Sequence, residues 1–126
     1  MKTLYASDLH GRVNLYGDLM ELASSSAARL IILGGDLFPT IIPNPVTLIN
    51  GRADFQNDLK GQLRFVESYL APTLRNFLPA RSGVTLLYIP GNHDWIPAVN
   101  RFEEALPGTM NIHARMVSLN GHDFFG

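Results

Sequence analysis

The sequence predicts an α/β fold built on a parallel β-sheet. Three short apolar runs carry this reading: TLYA (3–6), RLIILGGDLF (29–38) and VTLLYIP (84–90), each too brief for a helix and each ending in glycine or a polar cluster. Between them lie stretches with the apolar spacing of core-facing helices, so the order reads β-α-β-α-β, which implies right-handed crossovers. A closing segment of different character, ARMVSLNGHDFFG, alternates in the manner of an antiparallel hairpin. A length of 126 residues with 46% hydrophobic content suits a single domain, 1–126, with a real core.

Taken in order, TLYA is a buried strand bounded by Ser7 and Asp8. From Asn14, Leu15, Leu19, Leu22 and Ala23 recur at the spacing of a core-facing helix that fades in ASSSAA. The run at 29–38 is a fully apolar second strand that stops at Gly34, Gly35 and Asp36. PTIIPNPVTLING (39–51) holds three prolines and an Asn-Gly, so it reads as an ordered loop or insertion. Phe55, Leu59, Leu63, Val66 and Leu70 then form a helical stripe predicted to end at Pro72, with a further short turn through Leu74, Phe77 and Leu78. VTLLYIP is the third strand, and Phe102 to Leu106 predict a short helix after it.

The hairpin has Asn120-Gly121 at its turn and Phe124-Phe125 beyond. A strand carrying two phenylalanines with neither its edge nor its apolar face finished is an unusual domain end, so the sequence reads as cut short.

Composition narrows the function classes. Ten basic against eleven acidic residues leave a formal charge of -1, which gives no electrostatic reason to expect nucleic acid or an anionic membrane as partner. The absence of cysteine removes disulfides and thiolate metal sites and fits a reducing compartment. The apolar run before Asp8 is too short for a signal peptide, and nowhere is there the roughly 20-residue apolar span of a membrane helix. The expected location is cytoplasmic.

The chemistry gathers where the strands end. Asp8 and His10 follow the first strand, Asp36 the second, and Asn92, His93 and Asp94 the third. In a parallel sheet those ends share one edge, where ligand sites form. In extended backbone Asp8 and His10 would point the same way while Leu9 turns into the core. Carboxylates mixed with imidazole and a neutral amide suit Mn, Fe or Zn better than Ca, and without thiolates nothing favours a structural zinc site. The expected metal is catalytic. Asp8, Asp36 or Asn92 alone would read first as a helix cap or turn residue; their joint placement with His10 and His93 is what points to a site. Arg12, just before the first helix, is a candidate contact to substrate phosphate. Trp95 is expected to pack, and His113 to be structural on a strand.

The segments ASDLHG, LGGDLF and IPGNHDW resemble the first three motifs of the calcineurin-like metallophosphoesterases, D-x-H, G-D and G-N-H-[DE], in order. The resemblance implies half of a four-layer αββα sandwich, with a two-metal site that hydrolyses phosphoesters. It implies Asp8 and His10 on the first ion, Asp36 bridging both, and Asn92 on the second. His93 would stabilise or protonate the leaving oxygen, and Asp94 would orient it. The implied partner is a phosphoester substrate, monoester or diester.

The sequence departs from the family in its late motifs. His122, in GHD, resembles the start of the late G-H-x-H, but Phe124 stands at the second histidine and Gly121 belongs to the hairpin turn. The first ion therefore keeps Asp8, His10 and Asp36, while the second keeps only Asp36 and Asn92 and is expected to be weak or empty. Two function classes follow: a metal-dependent phosphoesterase completed by a C-terminal remainder or second chain, and a non-catalytic scaffold acting as an interaction module. The sheet is expected to carry helices on one face and lie bare on the other. Met116, Leu119, Phe124 and Phe125 would then be left for a second copy or a C-terminal remainder to cover.

Overall fold

The amino-terminal apolar run forms β1 (Thr3–Ala6), and helix α1 (Val13–Ser26) returns the chain to β2 (Leu30–Leu33) in a computed structural model that describes residues 1–40, 55–80 and 83–126. Next come α2 (Phe55–Phe65), a π-helical segment (Val66–Leu70) and α3 (Ala71–Ala80). They lead to β3 (Thr85–Tyr88), α4 (Ile96–Ala105) and β4 (Met110–Asn111), and a hairpin of β5 (Met116–Leu119) and β6 (His122–Phe125) completes the order.

Strands β1 to β4 make one parallel sheet in the order β1-β2-β3-β4, with Tyr5 level with Ile32 and Ile32 level with Leu87. Each strand lies beside its predecessor, so crossovers of one hand put the helices on one face. Alternation along the strands divides the core accordingly. Ile31, Leu33, Leu86 and Tyr88 pack under the helices with Tyr16, Phe65 and Phe102. Leu30, Leu87 and Ile112 point the other way. Burial on both faces is why the two central strands read as unbroken apolar runs.

The second face is not bare. The hairpin doubles back across it and seats Val117, Leu119 and Phe124 on Leu30, Leu87 and Ile112. The expectation of an uncovered face is thus corrected for Leu119 and Phe124, while Met116 and Phe125, on the outward side of the same strands, remain 68% and 77% exposed. Tyr5 on the edge strand β1 is also uncovered. The Asn120-Gly121 turn has φ of 50° and 79°, the two positive values a tight two-residue hairpin turn requires.

Two helical readings also change. Leu22 faces solvent and Tyr16 is buried instead, because the Tyr16 hydroxyl has an internal acceptor in the Leu37 carbonyl at 2.8 Å. Pro72 does not end the second helical stretch: it sits one residue into α3, directly after the π-helical segment, whose wider turn moves aside the carbonyl that the proline ring would strike. The Thr73 hydroxyl donates to the Tyr69 carbonyl at 2.6 Å, one turn back along the helix. The helix expected from Phe102 begins earlier, at Ile96. Of the proline-rich loop, only Pro39 and Thr40 fall among the described residues. Among the described residues no helix is long and apolar enough to cross a membrane.

If the hairpin covers the sheet as observed, Phe124→Ala should destabilise the fold by about 1–3 kcal/mol, the scale of apolar side-chain burial. Phe125→Ser on the outward side should stay within about 0.5 kcal/mol. Urea unfolding of the two variants checks the contrast.

Candidate metal centre

The regular strands stop short of the site. β1 ends at Ala6 and β2 at Leu33, yet the backbones beyond them stay paired: Asp8 N–H donates to Gly35 O at 3.0 Å, His10 N–H to Asp36 O at 2.8 Å and Gly11 N–H to Leu37 O at 3.0 Å. Within this paired loop Asp8, His10 and Asp36 all take left-handed backbone, with φ of 56°, 46° and 51°. This corrects the expected extended alternation. The two side chains share a side because both flank Leu9 in left-handed conformation, and Leu9 itself is buried as expected. Asp and His tolerate this region better than most residues, but each such position still costs on the order of 1–3 kcal/mol. A loop with three of them is held by its surroundings.

The result is a cluster in which one ligand atom each from Asp8, His10 and Asp36 lie within 4.8 Å of one another. Asp36 sits at its centre. Its Oδ1 accepts the His93 N–H at 3.2 Å, while its Oδ2 lies 3.1 Å from His93 Nδ1 and 3.8 Å from His10 Nε2. Burial alone would raise the Asp36 pKa, but the hydrogen bonds from His93 and the charges of His93 and His10 outweigh it and hold the carboxyl below the usual range. The His10 ring is steadied on its other side by Thr40, whose Oγ1 is 3.4 Å from Nδ1.

The third strand delivers its turn directly onto this carboxylate. A Cβ on Gly91 would lie 2.1 Å from Asp36 Oδ1 and 2.2 Å from Asp36 N, so only glycine permits the approach. Asn92 follows at the same edge and is exposed, and the exposed His93 turns its ring to Asp36. Asp94 behaves differently from the expectation that it orients His93. Its Oδ2 accepts N–H groups from Leu37 at 2.9 Å and Gly91 at 2.8 Å, and its Oδ1 accepts Phe38 N–H at 2.9 Å. Burial, with the charge of Asp36 nearby, keeps its pKa raised despite these donors. Asp94 therefore joins two loops through their backbones, and the ring partner of His93 is Asp36.

Other expected residues fall outside the cluster. Arg12 is exposed at the start of α1. His113 lies in an exposed turn after β4 and not on a strand. His122 adjoins the hairpin turn, and Asn120 of that turn contacts Met1 Sδ at 3.2 Å, so His122 belongs to the amino-terminal end of the sheet, away from Asp36. Trp95 packs as expected and donates its indole N–H to Asp58 at 2.7 Å. Sequence reasoning passed over Gln62 and Tyr16, which brace the Asp36 loop from below. The readable signal was Gln62 itself, a polar residue on the apolar stripe beside Leu59, Leu63 and Val66.

The donor set fits a divalent ion: two carboxylates and an imidazole each offer a ligand atom within 4.8 Å of the others, a mix of oxygen and nitrogen donors suited to such an ion. Asp8 and His10 are open to this role, and Asp36 can present either oxygen.

The sequence model of the calcineurin-like phosphoesterase family matches residues 1–124. No curated protein matches the sequence. Among solved structures, one crystal structure superposes with a TM-score of 0.64 at 15% identity, over 98% of this chain and 51% of the other. The crystal structure of TT1561 of Thermus thermophilus superposes with a TM-score of 0.57 at 18% identity, over 94% of this chain and 44% of the other. The chain thus spans about half the length of these structures, and at such identities the likeness concerns the fold.

The contacts of two glycines separate site from surroundings. Gly91→Ala should cost about 1–3 kcal/mol, because its methyl group meets the Asp36 backbone. Gly34→Ala meets only the hydroxyl end of the exposed Tyr5 side chain, which can swing aside, and should change stability by under about 0.5 kcal/mol. Thermal unfolding of both variants reads the difference.

Proposed function

The chain belongs to the calcineurin-like phosphoesterase family, and on that premise we propose that it provides the first half of a dinuclear site for metal-dependent hydrolysis of a phosphomonoester or phosphodiester. The observation that carries the proposal is the gathering of Asp8, His10 and Asp36 in a loop of left-handed residues. Divalent ions of the Mn, Fe or Zn type supply Lewis acidity for phosphate oxygens and lower the pKa of water.

In this reading Asp8, His10 and Asp36 would hold the first ion, Asp36 would also serve the second, and Asn92 would offer the second its amide oxygen. His93 acts on the leaving oxygen. With Nδ1 turned to Asp36 at 3.1 Å, the outward nitrogen Nε2 is the one that donates the proton. Asp94 acts through the backbone, keeping the His93 turn against the Asp36 loop. Arg12 takes a phosphate oxygen by charge. The proline-rich segment 39–51, entered directly after the Asp36 loop, sets substrate preference. Further donors to the second ion would come from another segment or a second copy, and the outward Met116 and Phe125 of the hairpin offer such a partner exposed apolar side chains. A cysteine-free composition supports a reducing, cytoplasmic setting.

A second reading, that of a non-catalytic interaction module, is favoured by the donor count, since among the described residues the second ion would have only Asp36 and Asn92. Calorimetry with Mn²⁺, followed by a panel of nitrophenyl phosphomonoesters and diesters, separates the two. We expect one ion bound with measurable affinity per chain, and Asp36→Asn to weaken it by about 100-fold or more, the upper end of what lost supporting contacts alone remove. Two tightly bound ions would overturn the division of ligands. Absence of metal-dependent hydrolysis under conditions where the ion is bound would favour the module.

A further inference from the structure

Gln62 lies on α2, in the crossover between β2 and β3, and is fully buried. Its Nε2 donates to the carbonyl of Pro39 at 3.1 Å and to that of His93 at 2.7 Å, and its Oε1 accepts the Trp95 N–H at 2.9 Å. Both amide hydrogens and the carbonyl oxygen are therefore matched. All three partners are backbone groups. Two of them flank Asp94 in the turn that carries Asn92 and His93, and the third lies three residues after Asp36.

No other side chain of this length supplies the same set. Glu lacks the paired donors, Met and Leu lack donors and acceptor alike, and Asn is one methylene short. A neutral polar side chain with no exposure is uncommon in a core unless its groups are satisfied, and here they are satisfied only by the two loops that meet at the metal site. Asp94 ties the same loops through Gly91, Leu37 and Phe38. Gln62 grips them at different points, so besides the direct bonds between His93 and Asp36 two separate side chains, Asp94 and Gln62, tie the loops together.

We infer that Gln62 is a positioning residue for the site, setting the separation of the Asp36 loop from the His93 turn and, through it, both metal affinity and the reach of His93. The inference rests on the metal-site reading given above. It concerns residues that touch the ion or substrate only through others.

Its test uses the chain as it is, with Mn²⁺ as the probe. Free Mn²⁺ is measured by electron paramagnetic resonance, and the emission of Trp95, the one tryptophan, whose N–H Gln62 holds, serves as a second signal. Gln62→Met is expected to weaken Mn²⁺ binding about 10-fold, within the range for residues that orient metal ligands, with circular dichroism showing the fold retained. Gln62→Glu keeps the acceptor for Trp95 and, protonated in its buried setting, one donor; it should recover part of the affinity, leaving a loss of about 3-fold. With a hydrolysed substrate, kcat should fall in both variants while KM holds. Should Gln62→Met fail to fold, Gln62→Glu decides alone. Wild-type Mn²⁺ affinity in the folded variants overturns the inference, as does a wild-type chain that binds no Mn²⁺. A wild-type chain that binds Mn²⁺ but hydrolyses nothing defeats the catalytic reading, and the affinity comparison still decides the role of Gln62.

Discussion

The buried carboxylate of Asp94, 8% exposed, receives three backbone N–H groups, two from the loop after β2 and one from the turn after β3. Burying a carboxylate costs several kcal/mol unless its oxygens are satisfied, and each charge-assisted bond returns about 1.5–3 kcal/mol. Burial still keeps the Asp94 pKa raised, and without both loops in place its cost would go largely unoffset, so the same group that is costly in isolation ties together two segments 57 residues apart in sequence. The left-handed conformations of Asp8, His10 and Asp36 depend on that lock. Backbone held in unfavourable regions persists where hydrogen bonds over-determine it, and here the loop is fastened by Asp94, by the Tyr16 hydroxyl and by its own pairing with residues 8–11.

The strand ends and the chemistry they carry were legible in the sequence because both follow short-range rules. An apolar run closed by Gly-Gly-Asp or Gly-Asn-His-Asp announces a buried strand whose polar groups emerge at its end, and the parallel order then aligns those ends. The hairpin was equally legible, since Asn-Gly flanked by alternating apolar residues admits few other structures. What these local rules leave open is which way a loop residue twists. Asp8 and His10 do face the same side, but by left-handed backbone and not by strand alternation.

Long-range partners were the illegible part. Nothing near Asp94 in sequence reveals that Leu37 and Phe38 need an acceptor, and a motif-based role for Asp94 beside His93 gives way to a backbone one. Pro72 misled for a related reason: its penalty applies to a regular helix, and the π-helical segment before it removes the clash. The bare sheet face was an error of the same kind. Alternation along the hairpin sets Val117 and Leu119 against Met116, yet the expected bare patch joined Met116 and Phe125 with Leu119 and Phe124; only the tertiary fold shows which of them rest on the β2–β4 face.

The unbroken order β1-β2-β3-β4 bears on how such a chain is made. Each strand adds to the edge left by the one before, so no strand must wait for a later one to be inserted beside it. A nascent polypeptide leaving the ribosome amino end first can extend the sheet in the direction of synthesis. The ligand loops come together once residue 94 has emerged, while Leu30 and Leu87 are shielded only when the hairpin folds back over them. By chain order, the edge that carries Asp8, His10 and Asp36 can assemble before the opposite face closes, and until the hairpin folds back Leu30 and Leu87 lack the cover it gives them.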